Sequence, residues 1–193
     1  MVAFSSDGST LAWGTDDGTV VLTRVADGTI LHTLTVTGSK DTSIGALAFS
    51  PDGRTLAAGT WDGHERLWDP STGTPRGPAW LARGGPIVTT SFSPDSRMLA
   101  TSGLGSAELW DAASEKQLGA LSTGLAPTPA YAAFDPTGHT LVTAFQDGPM
   151  LLWAVDPTSW PSRACALAGR RLTQQEWQDF LPGRPYKPSC GPP

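Results

Sequence analysis

The sequence lacks the features that mark a membrane, nucleic-acid-binding or secreted protein. No run of about 20 apolar residues occurs, so no segment could cross a membrane as a helix. The 13 basic residues are scattered and outnumbered by 18 acidic ones, which disfavours a nucleic-acid partner. Met1-Val2-Ala3-Phe4 carries no basic leader, so we expect a cytoplasmic location. A membrane anchor in a larger parent protein would instead place the chain outside the cytoplasm.

Catalytic and metal-binding patterns are also missing. The sequence contains no G-x-S-x-G, H-E-x-x-H or G-x-x-x-x-G-K-[ST] pattern. Asp16-Asp17-Gly18 resembles the start of a calcium loop, but the remaining ligands and the closing Glu are absent. The histidines occupy non-equivalent places along the chain: His32, His64 and His139. We therefore expect no catalytic residue, no cofactor, no metal and no enzymatic activity.

Repetition is the dominant feature that is present. Phe4-Ser5-Ser6-Asp7-Gly8 returns with its Phe at positions 49, 92 and 134, and Leu67-Trp68-Asp69 returns with its Trp at positions 110 and 153. The 22 Gly and 17 Pro between short apolar runs predict many turns and strands. Leu22-Thr23-Arg24 stands where the first repeat should have its Trp.

The second repeat shows what one unit should look like. Residues 44–49 are apolar on both faces, as in a fully buried strand. Ser50-Pro51-Asp52-Gly53 fits a tight turn, and Trp61-Asp62-Gly63 fits another. Residues 55–60, 65–69 and 79–82 are the remaining three strands. Each unit of about 43 residues is therefore predicted to be a four-stranded antiparallel sheet.

The F-S-P-D-G turn, the L-A-x-G-x-x-D-G hairpin and the L-W-D strand together resemble the WD40 repeat. The resemblance implies an all-β propeller of four blades, at residues 1–43, 44–86, 87–128 and 129–154, forming a partial or open ring. The fourth repeat ends after three strands. The first sheet also has nothing before it to pair with, so we expect an open arc or closure by self-association.

The resemblance also assigns structural and binding roles. Trp68, Trp110 and Trp153 should pack between blades, and Asp17, Asp62 and Asp147 should form hydrogen bonds within their turns. Leu104-Gly105-Ser106 replaces the Asp in the third blade, and the family's Gly-His pair is absent. We therefore expect blades that are less firmly locked by side-chain hydrogen bonds. The family's upper surface would carry Asp16, Trp61, Leu104 and Gln146, where Trp61 is either exposed or folded over a neighbouring loop.

The last segment, residues 155–193, differs in character. Asp156-Pro157 and the capping box Thr173-Gln174-Gln175-Glu176 predict two short helices before a Pro- and Gly-rich end. This tail resembles the end of bacterial WD40 proteins, which often follow a STAND-type NTPase or a Ser/Thr kinase. Its two cysteines, Cys165 and Cys190, could form a disulfide or remain free thiols.

Three functions are compatible with these features. The first is a non-catalytic scaffold or sensor that binds a protein or peptide on the propeller's upper surface. The second is the regulatory C-terminal portion of a larger NTPase or kinase. The third is the remnant of a truncated gene.

Overall fold

The computed structural model describes residues 1–36, 42–82, 85–122, 130–146 and 148–156, together with residues 159 and 174. The predicted helical tail, Asp147, Cys165 and Cys190 lie outside these described residues. The chain divides into two compact units, Met1–Trp153 and Ala154–Pro193. The first unit contains antiparallel β-sheets that follow one another along the chain.

The first two sheets begin with a short inner strand and continue outward in chain order. The first sheet contains β1 (Val2–Phe4), β2 (Thr10–Gly14), β3 (Thr19–Arg24) and β4 (Ile30–Thr35). The second sheet contains β5 (Ile44–Phe49), β6 (Leu56–Thr60), β7 (His64–Asp69), β8 (Thr74–Pro75) and β9 (Trp80–Leu81).

The third and fourth sheets repeat the arrangement. The third sheet contains β10 (Thr89–Phe92), β11 (Met98–Ser102), β12 (Ser106–Asp111) and β13 (Lys116–Ser122). The fourth sheet contains β14 (Ala130–Phe134), β15 (Thr140–Phe145) and β16 (Met150–Ala154). Within the described residues, the prediction of an all-β fold with four blade-like sheets, the last with three strands, is confirmed.

The outer strand of the second sheet differs from its prediction as one continuous strand at residues 79–82. It is split into β8 and β9, and both halves pair with β7. Gly77 and Pro78 lie between the halves. Proline has no backbone N–H to donate to a neighbouring strand, so pairing is interrupted there.

The turn after each inner strand is fixed by its own side chains. Ser50 Oγ donates to Asp52 Oδ1 at 2.6 Å and accepts from the Thr55 backbone N–H at 2.9 Å. Asp52 Oδ1 also accepts from the Arg54 N–H at 3.0 Å. Ser5 with Asp7, and Ser93 with Asp95, repeat this pattern. The repeated Ser and Asp of the sequence motif thus satisfy turn donors that would otherwise be unpaired.

Neighbouring sheets pack face to face through clusters of buried apolar side chains. Leu22 of the first sheet and Trp68 of the second belong to one buried cluster, and Leu67 and Trp110 share the next. The Gly of the L-A-x-G motif allows the next sheet to come this close. A Cβ at Gly14 would lie 2.5 Å from the Ile44 side chain, and one at Gly59 would lie 2.4 Å from Ile87. The motif glycine is therefore required by packing between sheets.

Candidate functional site

One edge of the four sheets, the top edge, is formed by the turns between the second and third strands of each sheet. These turns are residues 15–18, 61–63, 103–105 and 146–149, of which residue 147 is not described. Backbone hydrogen bonds join this edge across neighbouring sheets, from Ile44 N–H to Thr15 O at 3.1 Å and from Ile87 N–H to Thr60 O at 3.0 Å. Ala130 N–H donates to Gly103 O at 2.9 Å in the same way. The top edge is consequently one continuous surface.

The two described turn aspartates hold the top edge in shape. Asp17 accepts hydrogen bonds from the Thr15 hydroxyl and from the Thr19 backbone N–H, the latter at 3.1 Å. Asp62 accepts a hydrogen bond from the Thr60 hydroxyl and lies 3.1 Å from the His64 ring nitrogen. The structure thus places both side chains inside their own turns, where they close the hairpin.

The same contacts keep these carboxylates charged. The Thr15 hydroxyl is the main cause that lowers the pKa of Asp17. Burial acts to raise the pKa of Asp62, but the hydrogen bond from Thr60 and the neighbouring His64 and Thr42 side chains outweigh it and lower the pKa to about 2. With the exposed Asp16, the first two turns therefore present a negatively charged surface at neutral pH.

Trp61 stands out on this edge because 54% of its surface is exposed. One side of its indole lies against β5, where a Cβ on Gly45 would come within 3.3 Å of the ring. Its backbone N–H donates to Ser43 O at 3.0 Å, which anchors the residue. About half of the Trp61 surface is exposed, and a covered side of the ring lies against the inner strand β5.

The remaining predicted top-edge residues are also solvent-exposed. Asp16, Leu104 and Gln146 each occupy the turn of a different sheet, as Trp61 does in the second. Leu104 is 37% exposed. The four side chains thus lie along one edge, one in each sheet.

Two of the three tryptophans on third strands, Trp68 and Trp110, lie in buried clusters between sheets. Trp110 donates its indole N–H to Thr101 Oγ1 at 3.0 Å, and Trp153 donates to Thr143 Oγ1 at 2.9 Å. Trp68 is buried, with the Arg66 guanidinium 5.9 Å from its ring centre. The structure therefore gives Trp68 and Trp110 packing contacts between sheets, whereas Trp153 is half-buried and bonded to a strand of its own sheet.

The first sheet contains a Trp–Thr hydrogen bond of the same kind, which was not predicted from the sequence. Trp13 of β2 donates its indole N–H to Thr23 Oγ1 of β3 at 3.2 Å. The two residue types have exchanged strands, because in the third sheet the Thr is on the second strand and the Trp on the third. The signal was present in the sequence: Trp13 aligns with Thr101, and Thr23 aligns with Trp110.

A buried carboxyl between the second and third sheets was also missed. Glu65 of β7 is fully buried, although its strand alternates polar and apolar residues. Its Oε1 accepts a hydrogen bond from Thr90 Oγ1 of β10 at 3.2 Å. Burial is the main cause that raises the pKa of Glu65 to about 8. Glu65 is therefore mostly protonated at neutral pH.

The histidines and acidic side chains of the described residues do not gather into a metal-binding cluster. No three His, Cys, Asp or Glu side chains within the described ranges lie together as metal ligands would. His32 contacts the Ser71 carbonyl oxygen, whereas His64 lies beside Asp62. His139 lies in the turn after β14. The histidines are thus distributed over separate sheets.

Comparison with known proteins agrees with this architecture. A family model described as "WD domain, G-beta repeat" matches residues 28–69, which run from the turn before β4 to the end of β7. A search of curated proteins finds no match. Within the described residues, no helix is long and apolar enough to cross a membrane. The chain thus contains a WD40 repeat at residues 28–69, and its four successive antiparallel sheets are compatible with a WD40 propeller.

Proposed function

We propose that the chain is a non-catalytic scaffold or sensor module that binds a protein segment on its top edge, with Trp61 as the central contact. WD40 domains generally act as protein-interaction modules. The observation that carries the proposal is the half-exposed indole of Trp61 on an anchored backbone. Large aromatic side chains of this kind contribute disproportionately to protein interfaces.

The charge of the top edge indicates the chemistry of the partner. Asp16 and Asp17 lie in the first turn of the top edge, and Asp62 directly follows Trp61 in the second. A segment that carries Lys or Arg would gain from these carboxylates and could stack a cation on the indole face. The partner is therefore a basic peptide segment. This proposal holds for an independent scaffold and for the regulatory part of a larger NTPase or kinase, because in both cases the top edge binds protein.

Selection from a random peptide library displayed on phage would test the proposal. The full chain is the bait, and the affinities of selected peptides are then measured by fluorescence anisotropy. Trp61→Ala should weaken binding about 30-fold, as expected for a residue that contributes about 2 kcal/mol. Leu118→Ala on the outer strand of the third sheet is the matched control, since Leu118 is an exposed apolar residue away from the top edge.

The salt dependence of binding supplies a second readout. If the partner is basic, raising the salt concentration should weaken binding, because screening reduces the attraction of the aspartates. Peptides that bind Trp61→Ala as tightly as the parent protein would refute the proposed site. A library that yields no binder for the folded chain would refute the binding function itself.

A further inference from the structure

The outward face of the first sheet is apolar, and the described residues leave much of it exposed. Strand alternation and register place Val2, Phe4, Leu11 and Trp13 on this face. Phe4 is 61% exposed, and Trp13 is 38% exposed. In the third sheet the residues equivalent to Phe4 and Leu11 are Phe92 and Leu99, and both are buried.

The outward face of the fourth sheet is also apolar, and the described residues leave it exposed. Trp153 and Thr143 share the face that carries their hydrogen bond, so Leu152 and Val142 lie on the opposite face. Strand pairing adds Ala133 to that opposite face, as the partner of Val142. Leu152 is 69% exposed. Its equivalents in the other three sheets, Leu22, Leu67 and Leu109, are all buried.

The outward faces of the first and fourth sheets carry the same residue types that meet where neighbouring sheets of the chain pack together. Between the first and second sheets, Leu22 packs in one cluster with Phe49. Between the second and third sheets, Leu67 packs in one cluster with Phe92. The chain therefore joins neighbouring sheets through a Leu of the earlier sheet and a Phe of the later one. Among the described residues, Leu152 and Phe4 are the members of that series whose side chains stay largely exposed.

The indole N–H of Trp13, on the outward face of the first sheet, already has a hydrogen-bond acceptor. The Trp13 indole N–H is bonded to Thr23 Oγ1, just as the buried Trp110 indole is bonded to Thr101. Covering this face would therefore leave no indole donor unsatisfied. A face built for contact with solvent would instead carry polar residues, as the ends of repeat proteins normally do.

We propose that two copies of the chain associate head to tail, with the fourth sheet of each copy packed on the first sheet of the other. Both contacts are then identical, and Leu152 of one copy meets Phe4 of its partner. A head-to-tail contact closes when the rotation between copies allows it. Two copies supply eight blades, which lies within the four to eight that propellers use. The inference is independent of the function proposed for the top edge.

The test is the oligomeric state of the full chain and of two single variants. Light scattering coupled to size-exclusion chromatography should give twice the 20.2 kDa of one chain for the parent protein. Leu152→Glu and Phe4→Lys should each raise the dissociation constant of the dimer at least about 100-fold, because each buries a charge in an apolar contact. Leu118→Glu adds the same charge at an exposed leucine outside both faces and should leave the dimer intact.

The most decisive measurement is whether an equimolar mixture of Leu152→Glu and Phe4→Lys forms dimers. In an equimolar mixture one contact pairs Glu at position 152 with Lys at position 4, and the other contact is unchanged. The mixture should therefore form dimers although neither variant does alone. Both positions are exposed in the single chain, so the β-sheet circular dichroism of each variant should match that of the parent.

Three results would overturn the inference. The first is a parent chain that stays monomeric at tens of micromolar. The second is a dimer that Phe4→Lys disrupts and Leu152→Glu does not, since that pattern indicates first sheet packed on first sheet. The third is a mixture of the two variants that remains monomeric.

Discussion

Replacing Glu65 with glutamine should change how the stability of the protein depends on pH. In the folded protein Glu65 is buried between the second and third sheets, and its pKa is raised from the ordinary 4.5 to about 8. In the unfolded chain the carboxyl has its ordinary pKa. Between pH 4.5 and pH 8 the folded state therefore keeps a proton that the unfolded state has released.

The sign and size of the effect follow from this difference. Stability falls with rising pH wherever the folded state binds more protons, so Glu65 lowers stability progressively from about pH 4.5 to pH 8. Above pH 8 the loss is constant. A shift from 4.5 to about 8, at about 1.36 kcal/mol per pH unit, corresponds to a loss of about 5 kcal/mol. Water that enters beside the carboxylate would reduce this value.

Urea unfolding at a fixed protein concentration, from pH 5 to pH 9, measures the effect. Glu65→Gln retains an oxygen that can accept from Thr90 Oγ1 but carries no titrating proton. We expect the two proteins to have similar stability at pH 5 and the variant to be more stable by several kcal/mol at pH 9. Asp16→Asn, at an exposed carboxyl, is the control.

Parallel pH profiles for the parent and Glu65→Gln would refute the reasoning. They would mean that the Glu65 carboxylate is hydrated in the folded protein, and that the contact between β7 and β10 is open to water. A variant that is less stable than its parent at every pH would mean that the glutamine amide finds no partner.

Two further predictions concern packing between sheets. Trp68→Ala should lower the free energy of unfolding by about 3–5 kcal/mol, because it leaves a cavity in the buried cluster between the first two sheets; chemical denaturation that shows no change would contradict this. Thr101→Val should cost about 1–3 kcal/mol, because it leaves the buried Trp110 indole N–H without an acceptor. In a double-mutant cycle, Thr101→Val should cost less in a Trp110→Phe background, and strictly additive effects would show that the bond is not made.

The sheets themselves could be predicted because their information is local and repeated. The Ser50 and Asp52 side chains bond to the backbone of their own turn, and Gly53 adopts a positive φ of 70°. Each of these contacts spans a few residues, so the sequence pattern reports it directly. Four copies at nearly the same spacing then separate the pattern from chance.

The features that escaped prediction depend on contacts between sheets. Glu65 looks like a solvent-facing residue of an alternating strand, and only the third sheet against that face makes it buried. Trp13 looks like a stray aromatic until β2 and β3 are aligned and Thr23 is seen beside it. Such pairings lie ten or more residues apart, and alternation within one strand carries no information about them.

The exposure of the top-edge residues was harder to derive for a related reason. How much of Trp61 is exposed depends on how closely its ring approaches β5, and this in turn depends on Gly45 having no side chain. The turn motif fixes the backbone at residues 61–63 but leaves the direction of the indole open. The location of the site along the chain was therefore predictable, whereas its exposed surface required coordinates.

The backbone bonds across the top edge have a consequence for how the protein opens. Ile44 and Ile87 donate their amide protons to a neighbouring sheet, and Ala130 does the same. Exchange of these three protons with solvent therefore requires two sheets to part, whereas amides between strands of one sheet can exchange only when that sheet unravels. Because each such bond spans one boundary, the three amides record separately the free energy of opening each boundary between sheets. A chain in which every sheet depends on its neighbour should show similar protection at all three, and a chain that frays from one end should show a gradient.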